Sequence, residues 1–188
     1  MKLFYKSQFA FSPLIGDFLL YYINVISKYL YKTPSEFDDL IITMEDEHLI
    51  GLTFNINGDF IDSKAVKNSS ELLNVINWLD LYFSKEIPNF LPNIKFTNCS
   101  KFQLEVYQEL IKVPFGKTST YGDLAKIVAL KRGIKKMSSQ AVGNALKNNP
   151  ICIIYPCHRI IGKNGSLVGY NGGLRNKEAL LNFEAKII

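Results

Sequence analysis

The 188-residue chain is long enough for one domain or two small ones, and with 47% apolar and 21% charged residues it has the profile of a folded globular protein. Three cysteines (Cys99, Cys152 and Cys157) cannot all pair with one another, which excludes a disulfide framework and points to a reducing cytoplasm. The net charge of +5 is uneven: Lys112 to Lys177 holds twelve Lys and Arg against one acid, Asp123, leaving ten bases and sixteen acids elsewhere, so one part of the chain is suited to a polyanion.

In chain order, MKLFYKSQFAFSPLIGDFLLYYINVISKYL places Lys2 and Lys6 ahead of an apolar run. Pro13 and Asp17 interrupt that run and no small-residue cleavage pattern follows, so neither a signal peptide nor a membrane anchor is expected. Phe18, Leu19, Tyr22, Ile23 and Ile26 fall at helical spacing, which predicts a helical N-terminal extension over 1–34.

Residues 35–97 read as a small α/β domain. DLIITM and HLIGLTF are strand-like segments separated by the turn EDE, and Asn57-Gly58 supplies another turn. SSELLNVINWLDLYFS puts Leu72, Val75, Ile76, Leu79 and Phe83 on one helical face, with serines to cap it. KEIPNFLPN, with two prolines and no periodicity, reads as a linker ending near 97.

Residues 98–188 read as mainly helical. Ser100 and Gln103 open one helix in capping-box spacing, and its stripe is Phe102, Val106, Tyr107, Leu110 and Ile111. Thr120 and Asp123 open a second at the same spacing, and after the basic turn KRGIKKM a short third follows, SSQAVGNALKNNP. Two short helices around a turn match a helix-turn-helix, giving an α+β fold class whose C-terminal domain is winged-helix-like. Ala141, Gly143 and Ala145 keep the third helix slim, either for close packing on another helix or for a nucleic-acid groove. Lys126, Lys131, Arg132, Lys135, Lys136 and Lys147 around it favour a phosphate backbone.

IIYPCHRII then sets Cys157, His158 and Arg159 side by side. A thiol needs a base or positive surroundings to supply thiolate at neutral pH. Neighbours on an extended chain face opposite ways, so His158 is expected to act through a water or after a turn. Cys99 and Cys152 read as inert small hydrophobes. Cys152, Cys157 and His158 lack a second ligand pair, so no zinc site is expected. A Cys-His hydrolase would leave the helix-turn-helix unexplained.

VPFGKTSTYGDLA, AVGNALKNNP, YPCHRIIGKNGSLVGYNGGL and KEALL occur in order between about Phe102 and Glu184. Over this span the chain resembles the catalytic domain of O6-alkylguanine-DNA alkyltransferases (methylated-DNA–protein-cysteine methyltransferases), and the upstream strands and helix resemble that family's smaller N-terminal domain. The resemblance implies duplex DNA bound through the minor groove and a damaged guanine rotated out of the stack. Cys157 would take the alkyl group in a single, irreversible turnover, with no metal, nucleotide or redox cofactor. His158 would deprotonate it through a water, Glu178, twenty residues later, would orient the imidazole, and Asn149 would brace the turn. Tyr121, Ile160, Tyr170 and Asn171 would form the base pocket; Ser139, Gln140, Ala141, Gly143, Lys135, Lys136 and Lys147 would meet the DNA.

One departure is Gln140, where many relatives place an arginine that fills the gap left by the extruded base; the basic turn before it is expected to compensate through phosphate contacts. The alternatives are a lesion sensor of the alkyltransferase-like kind, which would lack the acceptor cysteine, and a helix-turn-helix regulator with a structural Cys157. With no dimerisation element evident, a cytoplasmic monomer with access to DNA is expected. Alkyl-size preference, activity on O4-alkylthymine and the part played by Arg159 stay open at this point.

Overall fold

A computed structural model describes residues 26–59 and 69–186. Three antiparallel strands form the first sheet in sequence order: β1 (Ile26–Tyr31), β2 (Leu40–Glu45) and β3 (His48–Phe54). Alternation decides which side is covered. Leu40, Ile42, Met44, Leu49, Leu52 and Phe54 are buried, together with Leu72, Val75, Trp78, Leu79 and Tyr82 of helix α1 (Ser70–Phe83). Ser69 caps that helix by accepting from the Leu72 N–H, and Glu47 on the β2–β3 turn accepts from the Ser69 hydroxyl and the Glu71 N–H.

The helical extension expected over 1–34 is corrected where it can be seen. Ile26, the last residue of the proposed stripe, begins a strand, because Ile26 to Tyr31 pair with Glu45 to Leu40 across a full register. Phe18, Leu19, Tyr22 and Ile23 lie outside the described residues. A boundary at 34/35 would therefore cut the sheet.

The segment read as a linker is also tied down. The Trp78 indole donates to Phe90 O, Leu49 N donates to Asn93 O, and Lys95 N returns a bond to Leu49 O. Further along the same edge of β3, Leu52 N donates to Pro150 O and Cys152 N donates to Leu52 O. An open strand edge is a template for unwanted pairing; here residues 93–95 and 150–152 occupy it.

The C-terminal half packs α2 (Lys101–Leu110), α3 (Tyr121–Lys131) and α4 (Ser139–Lys147) around Val106, Leu110, Leu124, Val128, Val142 and Leu146. The Ser100–Gln103 capping box forms in full, and such a cap contributes about 1 kcal/mol. Thr120 caps α3 by accepting from Asp123 N, and Ser138 caps α4 by accepting from Ala141 N. Two short parallel strands, β4 (Ser119–Thr120) and β5 (Ile160–Ile161), pin the start of α3 to the segment after Cys157. Helix α5 (Leu174–Ala185) lies against the Cys157 turn.

Candidate active site

The chain between Asn149 and Ile160 is built by reversals. Asn149 Nδ2 donates to Ile151 O at 3.2 Å and to Tyr155 O at 2.9 Å, while its Oδ1 accepts from Ile151 N. Ile153 is forced to a φ of +65°, a left-handed conformation that a β-branched residue rarely adopts. Pro156 then leads into one 3-10 turn, Cys157 to Arg159, so Cys157 and His158 do not alternate as on a strand.

Cys157 is 7% exposed. On balance burial holds its thiol above the ordinary range; the Asn149 amide at 3.2 Å from Sγ, the Lys177 ammonium and the backbone N–H groups of Cys157 and His158 pull the other way, toward thiolate, and offset part of that rise. Lys177 is fully buried and has two carbonyl acceptors, Ile160 O at 2.7 Å and Val168 O at 3.2 Å, with its ammonium 5.9 Å from the Tyr121 ring centre. Neither acceptor carries a formal charge. Burial lowers its pKa, and Cys157 acts in the opposite direction.

Behind the cysteine, His158 is fully buried and its Nε2 lies 2.7 Å from Glu184 Oε1. This corrects the expectation for Glu178, which is exposed on α5 and takes no part in the site. Six residues advance a helix by about 240°, so the two acids face different ways, and Lys177, Leu180 and Glu184 form the inward row. Glu184 also accepts from Tyr82 OH at 2.8 Å, Gly116 N at 3.1 Å, and Arg159 Nε and Nη2 at 2.8 and 2.9 Å.

Burial raises the Glu184 carboxyl, but the bonds from His158 and Arg159 outweigh it and hold the acid well below the usual carboxylate range. Burial lowers the imidazole, more than Glu184 raises it, so His158 is neutral at pH 7. A charged Glu184 then requires the proton on Nε2, leaving Nδ1 as the acceptor; no group among the described residues bonds Nδ1. Arg159 completes the network with Val113 O at 2.7 Å and the Phe115 ring at 5.1 Å.

In front of the cysteine, Tyr121, Ser139, Gln140, Gly143, Asn144, Lys147, Tyr170 and Asn171 line an open groove of about 590 Å³. Tyr121 OH donates to Val168 O at 3.0 Å, and a Cβ on Gly143 would stand 3.7 Å from its ring. That is ordinary van der Waals contact, so the glycine keeps the helix slim without being required to seat Tyr121. Tyr170 and Asn171 also line a second cavity, which reaches Cys157. Ile160 is not at either surface: its side chain is fully buried between the helices, and only its carbonyl serves the site, through Lys177.

Among the DNA-facing candidates, Lys135, Lys136, Ser139, Gln140 and Lys147 are exposed, and Ala141 is partly covered. The bare charge count overstated the basic surface. Among the described residues, Lys112 and Lys131 pair with Glu109, Arg132 with Glu105, Lys126 with Asp123, Arg159 with Glu184 and Arg175 with Asp38. Among the described residues Lys135, Lys136 and Lys147 have no acid partner; Lys147 lines the groove, and the other two lie on the turn before α4.

A family profile described as the 6-O-methylguanine DNA methyltransferase DNA-binding domain matches residues 101–186. The methylated-DNA–protein-cysteine methyltransferase of Mycobacterium leprae is 40% identical over 109 residues, which cover 58% of this chain and 62% of that protein. The protein of the same name from Methanosarcina mazei is 41% identical over 125 residues, covering 66% and 75%. Among solved structures, the O6-methylguanine methyltransferase of Mycobacterium tuberculosis superposes with a TM-score of 0.71 at 28% identity, over 87% of this chain and 95% of that one. The OGT of the same organism, in complex with DNA, gives 0.68 over 84% and 93%. The sequence match reaches two thirds of this chain and the fold match most of it, and the chain belongs to the methylated-DNA–protein-cysteine methyltransferases, enzymes of direct-reversal DNA repair that bind DNA.

Proposed function

We propose that Cys157 is the acceptor that removes an alkyl group from O6 of guanine in duplex DNA, once and irreversibly. The observation that carries this reading is the polar surroundings of Sγ: a side-chain amide, backbone N–H groups and a buried lysine whose own hydrogen-bond acceptors are neutral carbonyls. Thiolate formed there attacks the alkyl carbon in line, the C–O6 bond breaks, and guanine departs with the bonding electrons. His158 Nδ1 takes the thiol proton through one bridging water, and Glu184 holds the tautomer that makes Nδ1 basic.

The groove supports the binding half. Slim α4, the half-buried Tyr121 and the unpaired lysines fit a minor groove from which the target base swings out toward Tyr170 and Asn171. Gln140 stands where an inserted side chain would fill the stack, and with no charge it contributes less than arginine would. Among the described residues no helix is long and apolar enough to cross a membrane, and a monomer working in the cytoplasm with access to DNA fits this reading.

Intact mass after incubation with an O6-methylguanine duplex tests it. The expected result is one added methyl, mapped to Cys157 and absent in Cys157→Ala. Tight binding without a mass gain would instead make the protein a lesion sensor.

A further inference from the structure

Cys152 takes no part in the chemistry above, yet its position is unusual for an inert core thiol. Five residues of extended chain would hold Cys152 and Cys157 about 16 Å apart. The segment is instead folded back on itself: Ile154 N donates to Cys152 O at 2.7 Å, Tyr155 N to Ile151 O at 3.2 Å and Cys157 N to Tyr155 O at 2.8 Å. Both cysteines consequently line one cavity of about 320 Å³, walled on its other side by Phe54 and Tyr170. Cys99, the remaining thiol, is not among the residues of that cavity.

We propose that Cys152 and Cys157 form a peroxide-reactive pair, in which Cys152 resolves an oxidised Cys157 as a reversible intrachain disulfide. Cys157 reacts first, for the same reason that it accepts an alkyl group: its sulfur is surrounded by donors, whereas Cys152 sits in the apolar core around Leu52 and Ile151. The Cys157 thiolate attacks one oxygen of a hydroperoxide; the S–O bond forms, the O–O bond breaks, and the alcohol or water leaves with one proton. Cys157 is then a sulfenic acid and the peroxide is reduced. The Cys152 sulfur attacks that sulfur, the S–S bond forms, the S–O bond breaks, and hydroxide leaves with the Cys152 proton as water.

This chemistry protects an acceptor that can be used only once. Without a partner thiol, a sulfenic acid can be oxidised further to sulfinic acid, which ordinary thiols do not reverse. The disulfide also occupies the sulfur that the alkyl group needs, so the oxidised protein is inactive until reduced. That last consequence rests on Cys157 being the acceptor; the pairing itself does not.

The full-length protein, free of DNA, is treated with hydrogen peroxide in small steps, blocked with a maleimide and digested with trypsin. Both cysteines fall in the single peptide 148–159, and Cys99 falls in another. The expected product is the 148–159 peptide lacking two hydrogens and carrying no maleimide, with Cys99 labelled, and dithiothreitol restores two labelled thiols. Cys152→Ala should instead drive Cys157 to sulfinic acid, and reductant should not restore its methyl uptake. A wild-type 148–159 peptide that carries sulfinic acid beside a labelled Cys152, or a disulfide that includes Cys99, overturns the proposal. Because the peptide is read without DNA, a reduced protein that takes no methyl group would fail the repair reading and leave this result standing.

Discussion

The two sides of Cys157 are built on opposite principles. Behind it, Glu184, His158 and Arg159 are almost entirely withdrawn from water, and every acceptor position of the carboxylate is engaged. In front, the groove along α4 is open, and its Lys147 has no acid partner among the described residues. A buried charge network holds its geometry before any substrate arrives, which suits proton transfer. An exposed face with unpaired charge loses counterions when it meets phosphate, which suits binding. The difference teaches that this protein keeps chemistry and recognition in separate material, meeting only at the thiol and the Tyr170–Asn171 loop.

The largest expected effect lies on the buried side. Glu184→Gln leaves Arg159 without its counter-charge, and breaking a buried pair in this way costs about 3–5 kcal/mol. Chemical denaturation should show that loss, and methyl uptake should fall with it because the His158 tautomer is no longer fixed. Full stability in this variant would mean that the network is dispensable.

Acid probes the same side without mutation. His158 is held below its ordinary value of 6.5 and Glu184 below 4.5, so in both cases the unfolded chain binds more protons in acid. Their contribution is complete at neutral pH, begins to be lost below about pH 6.5, and is lost further through the carboxylate range. A denaturation midpoint that is flat from pH 7 to pH 4 would contradict the assignment.

The open side should respond in binding alone. Lys147→Ala is expected to weaken DNA binding several-fold and to reduce the slope of log affinity against log salt by about 1, with unchanged stability. Gln140→Arg should tighten duplex binding; unchanged affinity and repair rate would show that the position is idle. The smallest effect is reserved for Glu178→Gln, an exposed position on α5, which should leave methyl uptake and stability within error of wild type.

The contrast also explains what could be read from the sequence. Helix caps are local: Ser100 with Gln103, and Thr120 with Asp123, announce themselves within four residues, and both form. The helix-turn-helix and the cysteine turn are likewise short-range. Glu184 is harder to read: its partners are 25 and 26 residues away, and the resemblance carried by KEALL points to Glu178 instead. A signal did exist, since 177, 180 and 184 follow helical spacing and share the face that carries Leu180. The strand at Ile26–Tyr31 was hidden by an apolar stripe that happened to fit a helix; pairing with β2 decided the matter. Among the described residues, five of the twelve bases between 112 and 177 are engaged by acids from outside that span, which no local count can show.

The pairing of Leu52 with the chain around Ile151 bears on how far this molecule can be dissected. Residues 101–186 contain the groove, the thiol and the whole Cys157–His158–Glu184 row, and look like a transferable module. Yet the turn that aims Cys157 is bridged to β3 by two backbone hydrogen bonds at Leu52, and Tyr82 of α1 supplies one of the bonds to Glu184. A fragment cut at residue 100 would keep the reacting atoms and lose the frame that aligns them. In this architecture the smaller, less distinctive half acts as the jig on which the reactive half is set.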